Sequence, residues 1–546
     1  MNQILLADNR STELEIWIPP QSGRVMRFAA RELASYLRKM CGAEFPVVTE
    51  PSGKKSIRLA AGTEEASGKD RFELNIAGDG ITIDASSPRA ALYGVYELLE
   101  TAGCAFVEPG IETVPFRTRL ELPVLRKQYE AAFELRNIFR EQIIPDKHAV
   151  YRGLEPGHHL PQIDWMAKRK LNHYNFYIDY DRYDLWEKHK SSILDAFLDR
   201  GFRLEVCHHS IGYFFPPDEP HDYGDFGPST YYAMHPGWYK DGQVRIELPE
   251  VRKILCERYL AYVRNNPELD MVGLWPGDSS MPPPDAEMNV ADGYLDFWNE
   301  IAGALASEFP GKRLSIIAYI DLLSPPKKLR GADNEQLWFC PIRTNYHYSM
   351  PDLPYNAKFL DDMAGWIRKM PPGRVNVFDY FGWQPPLIPL SRLVQRTLSA
   401  YRALGAGGAY GWCGFTYNLM GADCRWAKEL YAYANMLWNP DCDIETQERV
   451  WANGVFGAAA PEILEFFDIL RIEHGHLAEE GLAAMKPWIP LSLFKRLAPV
   501  LAKARKKAEG EGAVRRIDLL EQLAANAACS RIYSDKRGMP SLLDSL

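Results

Sequence analysis

The chain has 546 residues, 46% hydrophobic and 25% charged, a globular balance with room for roughly two to four domains. Its net charge of -9 weighs against nucleic acid or an anionic membrane as partner, and no apolar run approaches the roughly 18 residues of a membrane helix. The 9 cysteines form no C-x-x-C pair, which argues against a disulfide scaffold or zinc ribbon. No metal and no cofactor is expected.

Residues 1–125 read as a small α/β domain. Ala29, Leu33, Tyr36, Leu37 and Met40 share one helical face, and Gly42 ends that helix. Phe72-Leu74-Ile76 and Ile81-Ile83 alternate around the turn Gly78-Asp79-Gly80. Ser87-Pro88 supplies a cap and a first-turn proline for a helix carrying Leu92, Val95, Tyr96 and Leu99, which Gly103 stops. None of this carries chemistry, so a scaffold role is expected. The first residues show no basic stretch followed by an apolar one, so neither a signal peptide nor export is expected, and the expected location is the cytoplasm.

Residues 126–445 alternate strand-like and helix-like segments. The strand candidates are 133–139, 173–179, 203–209, 270–276, 314–321, 336–341, 375–381 and 407–414, with amphipathic stretches such as Ile163 to Lys170 and Val251 to Val263 between them. This pattern predicts an α/β fold, a (β/α)8 TIM barrel with long loops. A doubly wound sheet fits less well, because no strand is followed by a G-x-G-x-x-G or P-loop. Residues 446–546 read as a helical region, with Ile463, Phe466, Phe467 and Leu470 on one stripe and Leu519, Leu520 and Leu523 on another; Lys503 to Lys507 is a solvated basic face.

The strand ends carry the candidate chemistry. Asp270-Met-Val-Gly-Leu-Trp-Pro-Gly-Asp278 is a buried strand broken by Pro276-Gly277 just before an acid. In a barrel that rim is where catalytic side chains stand. Asp278 is the leading candidate acid, with helix capping as its alternative role, and Trp275 is a candidate wall for a sugar ring. Strand one offers Arg136, strand two Asn175, strand three His208 and His209. Neighbouring His208 and His209 cannot both face inward, so a metal pair there is not expected. Asp321, Arg343, Tyr346, Asp379, Tyr380, Trp383 and Trp412 follow at strand ends five to eight. Glycosidic cleavage uses two carboxylates. Asp278 is expected to pair with Asp379 or Asp321, and each of these has capping or salt-bridging as its ordinary alternative.

Several stretches together resemble known families. Ile163-Asp-Trp-Met-Ala-Lys-Arg-Lys-Leu-Asn172 resembles the helix-to-strand segment of family 20 hexosaminidase barrels. Cys207-His-His-Ser210 with Tyr232-Ala-Met-His-Pro-Gly-Trp-Tyr239 is similar to a pattern of the bacterial group called domain of unknown function 4838, partly covered by glycoside hydrolase family 163. Trp438-Asn-Pro-Asp-Cys-Asp443 with Val455-Phe-Gly457 looks like its closing segment, and Ala90 to Leu99 resembles the α/β domain preceding hexosaminidase and family 67 α-glucuronidase barrels. The resemblance implies a glycoside hydrolase with its acid after strand four. The expected substrate is an oligosaccharide that contains N-acetylhexosamine, with His235 among the substrate-binding residues. It departs from the group at Ser279-Ser-Met-Pro-Pro-Pro284, where a cysteine cluster is missing, and at Gly414-Phe-Thr-Tyr417, where a glutamate is. A uronic-acid glycosidase using Arg136, Arg140 and Arg343, a silent carbohydrate-binding barrel and a metal-dependent isomerase or aldolase are the rival expectations. The expected partner is the oligosaccharide, and a homo-oligomer is compatible with all of these.

Overall fold

The computed structural model describes residues 3–62, 68–78, 80–139, 156–178, 184–215, 235–240, 243–277, 281, 289–346, 348–352, 354–381, 387–412, 427–479 and 489–537. Its N-terminal part is a six-stranded mixed sheet covered by the helices Arg24–Cys41 and Pro88–Thr101. The first helix ends where Gly42 turns left-handed at φ 73° and its N–H returns to Arg38 O at 2.7 Å, a conformation glycine adopts without strain. Ser87 caps the second helix by accepting from Ala90 N at 3.2 Å. That helix lies so close to the sheet that a Cβ on Gly94 would sit 2.4 Å from Ile83 Cγ2. The strands Arg71–Ala77 and Gly80–Ala85 pair antiparallel and bury Phe72, Leu74, Ile76, Ile81 and Ile83 against it. The edge strand Leu125–Glu130 still belongs to this sheet.

Eight parallel strands follow: Leu135–Phe139, His173–Tyr177, Arg203–Cys207, Met271–Gly273, Arg313–Ala318, Glu335–Phe339, Val375–Asp379 and Gly408–Trp412. They are hydrogen-bonded in the order one, eight, seven, six, five, four, three, two. Strands one and two close the ring through Asn172. Its N–H donates to Arg136 O at 3.1 Å, and its Oδ1 accepts from Arg136 N at 2.9 Å. Its Nδ2 donates to Glu134 O at 2.7 Å and to Asp70 Oδ2 at 3.1 Å. One fully buried amide thus completes the barrel and ties it to the N-terminal domain. The fold is a (β/α)8 barrel with an N-terminal α/β domain and C-terminal helices.

The C-terminal helices Ile444–Phe456, Ala460–Glu479, Leu491–Lys507 and Glu511–Arg537 pack in sequence. Ile463, Phe466, Phe467 and Leu470 are buried among them. Arg516, on the last helix, pairs with the buried Glu108 at 2.6 Å, and Trp451 Nε1 donates to the same carboxylate at 3.0 Å. This clasp anchors the helices at the junction between the N-terminal domain and the barrel. Among the described residues, no helix is long and apolar enough to cross a membrane.

Candidate active site

Strand four is short because side chains take over its pairing. Ser210 Oγ donates to Gly273 O at 2.8 Å and accepts from Trp275 N at 3.0 Å. Leu274 N reaches Ser315 O at 3.0 Å, while Trp298 Nε1 donates to Leu274 O at 2.9 Å. Gly273 has to be glycine, since a Cβ there would lie 2.8 Å from Cys207 Cα. The chain then turns at Pro276-Gly277, and each backbone group near the turn is held. His209 Nδ1 donates to Pro276 O at 2.7 Å, which fixes a proton on that nitrogen. The buried Gln243 accepts from Gly277 N at 3.0 Å and donates to Gly277 O at 2.9 Å. Beyond residues 278–280, Met281 N donates to Asp321 Oδ2 at 2.8 Å.

The flanking loops are held in costly backbone conformations. His208 has φ 101°, and β-branched Ile320, just before Asp321, has φ 49°. Such residues cost on the order of 1–3 kcal/mol each and persist only where packing over-determines them. His208 sits edge-on to Tyr177, at 3.9 Å between ring centroids, and to His209, at 4.1 Å. Asp321 is solvent-exposed at this rim.

Asp278 and Trp383 lie outside the described residues, as does the side chain of Trp412, although Trp412 ends strand eight as expected. Asp379 is placed differently from the expectation. Its neighbours Phe378 and Tyr380 take the inward positions, with Phe378 packing on Tyr410 at 4.4 Å. By alternation Asp379 faces the helices, where Tyr346 OH donates to it at 3.0 Å and Tyr401 OH at 3.5 Å. Burial pushes its carboxyl up to about 6. It is engaged in holding a loop, because Tyr346 OH also accepts from Tyr380 N at 2.6 Å. Tyr380 itself is buried and stacked on Phe378.

Arg136 also departs from its expected role. It is 0% exposed and pairs with Asp70 at 2.6 Å. Its other donors go to Lys170 O, Phe133 O and Glu134 O at the amino-terminal end of the strand, away from the mouth. Trp275 is 1% exposed and its Nε1 donates to Ser315 Oγ at 3.1 Å, so it is a core side chain rather than an open sugar wall. Asn175 is buried too, accepting from Asn137 Nδ2 at 2.7 Å and donating to Cys207 Sγ at 3.5 Å. Arg343 is exposed on the loop after strand six. His235 is half-buried, stacked flat on Trp238 with ring centroids 3.7 Å apart.

The barrel interior holds polar groups that sequence reasoning did not single out. His173 Nε2 meets Glu205 Oε2 at 2.8 Å with both side chains fully buried, and Trp338 Nε1 donates to Glu205 Oε1 at 3.1 Å. Trp338 also stacks on His173 at 5.5 Å. Trp338 satisfies Glu205 Oε1, whereas the close approach of His173 Nε2 to Oε2 does not have hydrogen-bond geometry. Gln243 was missed as well. No local signal marks it, since its role depends on a hairpin docking 34 residues away in sequence. Among the described residues, no three His, Cys, Asp or Glu side chains gather as a metal site.

Comparison with solved structures returns the same architecture. A family GH115 4-O-methyl-α-glucuronidase with specificity for decorated arabinogalactans superposes with TM-score 0.62 at 14% identity, over 96% of this chain and 72% of that one. A GH138 enzyme targeting pectin rhamnogalacturonan II gives 0.63 at 12% identity, over 94% and 85%. A Flavobacterium johnsoniae chitobiase gives 0.53 at 12% identity, over 99% and 92%. At such identities the likeness is one of fold, and the fold is shared with glycoside hydrolases. No curated protein matches the chain. The model for Glycosyl hydrolase family 20, domain 2, matches residues 9–103. The model described as Domain of unknown function (DUF4838) matches residues 106–468, the barrel together with its first C-terminal helices, and the chain belongs to that family.

Proposed function

We propose that the chain is a glycoside hydrolase that cleaves an O-glycosidic bond by carboxylate acid/base catalysis, with Asp278 as general acid. One observation carries this reading. The turn leading into Asp278 is pinned by His209 and Gln243, and the chain just beyond it by Asp321. An acid that must protonate a leaving oxygen needs such placement, since a misplaced group loses most of its effect. Asp278 delivers its proton to the bridging oxygen as the bond to the anomeric carbon breaks. Asp321 is the second carboxylate, attacking, activating water or orienting an acetamido group. It is exposed at the rim and bonded to the same loop, whereas Asp379 faces the helices.

The substrate class in this reading is an oligosaccharide containing N-acetylhexosamine, supported by the family 20 accessory domain at residues 9–103. The uronide alternative is supported by the α-glucuronidase neighbour. It loses Arg136, which is spent on Asp70, and keeps the exposed Arg343. Turnover of aryl N-acetylglucosaminide and aryl glucuronide by wild type and Asp278→Asn tests both points. On whichever substrate is cleaved, Asp278→Asn should lower kcat by at least roughly 100-fold. Near-normal turnover removes Asp278 from the mechanism.

A further inference from the structure

The loop between strand six and the helix Ala357–Lys369 is fastened at many points, yet it displays an aromatic pair to solvent. Asn356, almost fully buried, accepts from Asn345 N at 3.0 Å and donates to Asn345 O at 3.2 Å. Its Nδ2 also lies 3.4 Å from Tyr348 O and Ser349 O. Asp352 accepts from Ser349 N at 2.8 Å and is paired with Arg396. Met350 N donates to Thr397 Oγ1 at 2.9 Å. On this frame Tyr348 and Tyr355 stack with ring centroids 3.7 Å apart and planes 5° from parallel, and Tyr355 remains 50% exposed.

Stacking on Tyr348 covers one face of Tyr355 and fixes its orientation, which leaves the other face as a flat, preordered surface. That face contributes nothing to the core. A pyranose ring presents an apolar C–H face and polar edges, which match an aromatic plane with a hydroxyl at its rim. The loop follows a barrel strand at its carboxyl end, the end at which Gly277 and Asp321 also lie. We infer that the Tyr348–Tyr355 stack is a sugar-binding platform, holding a unit of the oligosaccharide beyond the one whose bond is cut. This rests on the glycosidase reading for its substrate class and sets a requirement that reading lacks, a dependence on chain length.

The test uses two ladders of one to six units, chito-oligosaccharides and glucuronate-capped xylo-oligosaccharides, each free and as aryl glycosides. Wild type, Tyr355→Ala and Tyr355→Trp are compared by calorimetry and by kcat/KM. The expected result is binding that tightens with length in wild type. Tyr355→Ala should lose about tenfold in affinity for the longer members of the preferred ladder. Its kcat/KM on the one-unit aryl glycoside should stay within about twofold of wild type, and Tyr355→Trp should restore long-chain affinity. Equal losses on short and long ligands, unchanged long-chain affinity, or no binding by wild type at any length would each overturn the platform. Length-dependent binding that Tyr355→Ala abolishes, in a protein that cleaves neither ladder, would sustain the platform while the glycosidase reading fails.

Discussion

Asp70 of the N-terminal domain and Arg136 of the first barrel strand form an ion pair at 2.6 Å, with both side chains withdrawn from solvent. Arg89 joins the same carboxylate at 2.9 Å, and Asn172 donates to it at 3.1 Å. Burial alone would raise the Asp70 carboxyl, but Arg89 and Arg136 hold it well below the usual carboxylate range. The guanidinium that looks like a sugar clamp in the sequence is therefore a joint between domains.

Asp70→Asn should leave two buried guanidiniums without their counter-charge and destabilise the protein by roughly 3–5 kcal/mol. The native carboxyl titrates below its unfolded value, so the stability it contributes is present above about pH 4 and is lost as pH falls below that. Urea unfolding at pH 7 and at pH 3.5 measures both effects. The variant should be much weaker than wild type at pH 7, and the gap should narrow in acid. A variant within about 0.5 kcal/mol of wild type at neutral pH would mean the pair is not what joins the domains.

Gln243 offers a sharper test of the strand-four turn. Gln243→Ala removes both the acceptor for Gly277 N and the donor to Gly277 O. Two net hydrogen bonds are worth about 1–3 kcal/mol of stability, so the fold should survive. If the turn aims the acid, kcat should fall at least about tenfold with KM little changed, because a misaimed proton donor affects the transition state more than binding. A loss of stability with full kcat would make Gln243 purely structural.

The loop contact of Asp321 and its proposed role as second carboxylate can be separated by substitution. Asp321→Asn keeps an oxygen for Met281 N but removes the charge, whereas Asp321→Ala removes both. As second carboxylate, the Asn variant alone should cost roughly 100-fold or more in kcat. The Ala variant should add a smaller loss of thermal stability. Should Asn turn over normally and only Ala be impaired, Asp321 is a tether for the loop, and the second acid lies elsewhere.

The barrel was legible in the sequence because each strand is a short apolar run bounded by breaks, the signature of strands buried on both faces. Each of the eight observed strands lies within or at the edge of its expected segment. Side-chain roles were harder to read because they depend on which face of a strand a residue occupies. Arg136 and Asn137 are neighbours, yet Asn137 reaches Asn175 while Arg136 turns to Asp70. The same alternation separates Asp379 from Tyr380. Applied consistently it would have drawn attention to His173 and Glu205, which share faces with Asn175 and Cys207. Gln243 was beyond this logic, since its contact with Gly277 exists only once the hairpin Tyr239–Val244 has docked.

Glu335 should make the stability of the fold depend on pH. It opens strand six, is fully buried, and has one carboxyl oxygen on Ala332 N at 3.1 Å. The other oxygen has no hydrogen-bond partner among the described residues. Burial pushes its carboxyl up to about 8. The folded state thus keeps a proton that the unfolded chain releases above about pH 4.5, so stability should decline as pH rises from there to about 8 and level off beyond. Asp379, raised to about 6, adds the same slope only in the lower part of that window. Glu335→Gln preserves an oxygen for Ala332 N and has no proton to lose. It should be more stable than wild type by roughly 2–4 kcal/mol at pH 7.5, with the difference vanishing near pH 4. Denaturant unfolding of the two proteins at several pH values decides it. Parallel curves across the range would show that Glu335 is ionised in the folded protein and has a compensating partner.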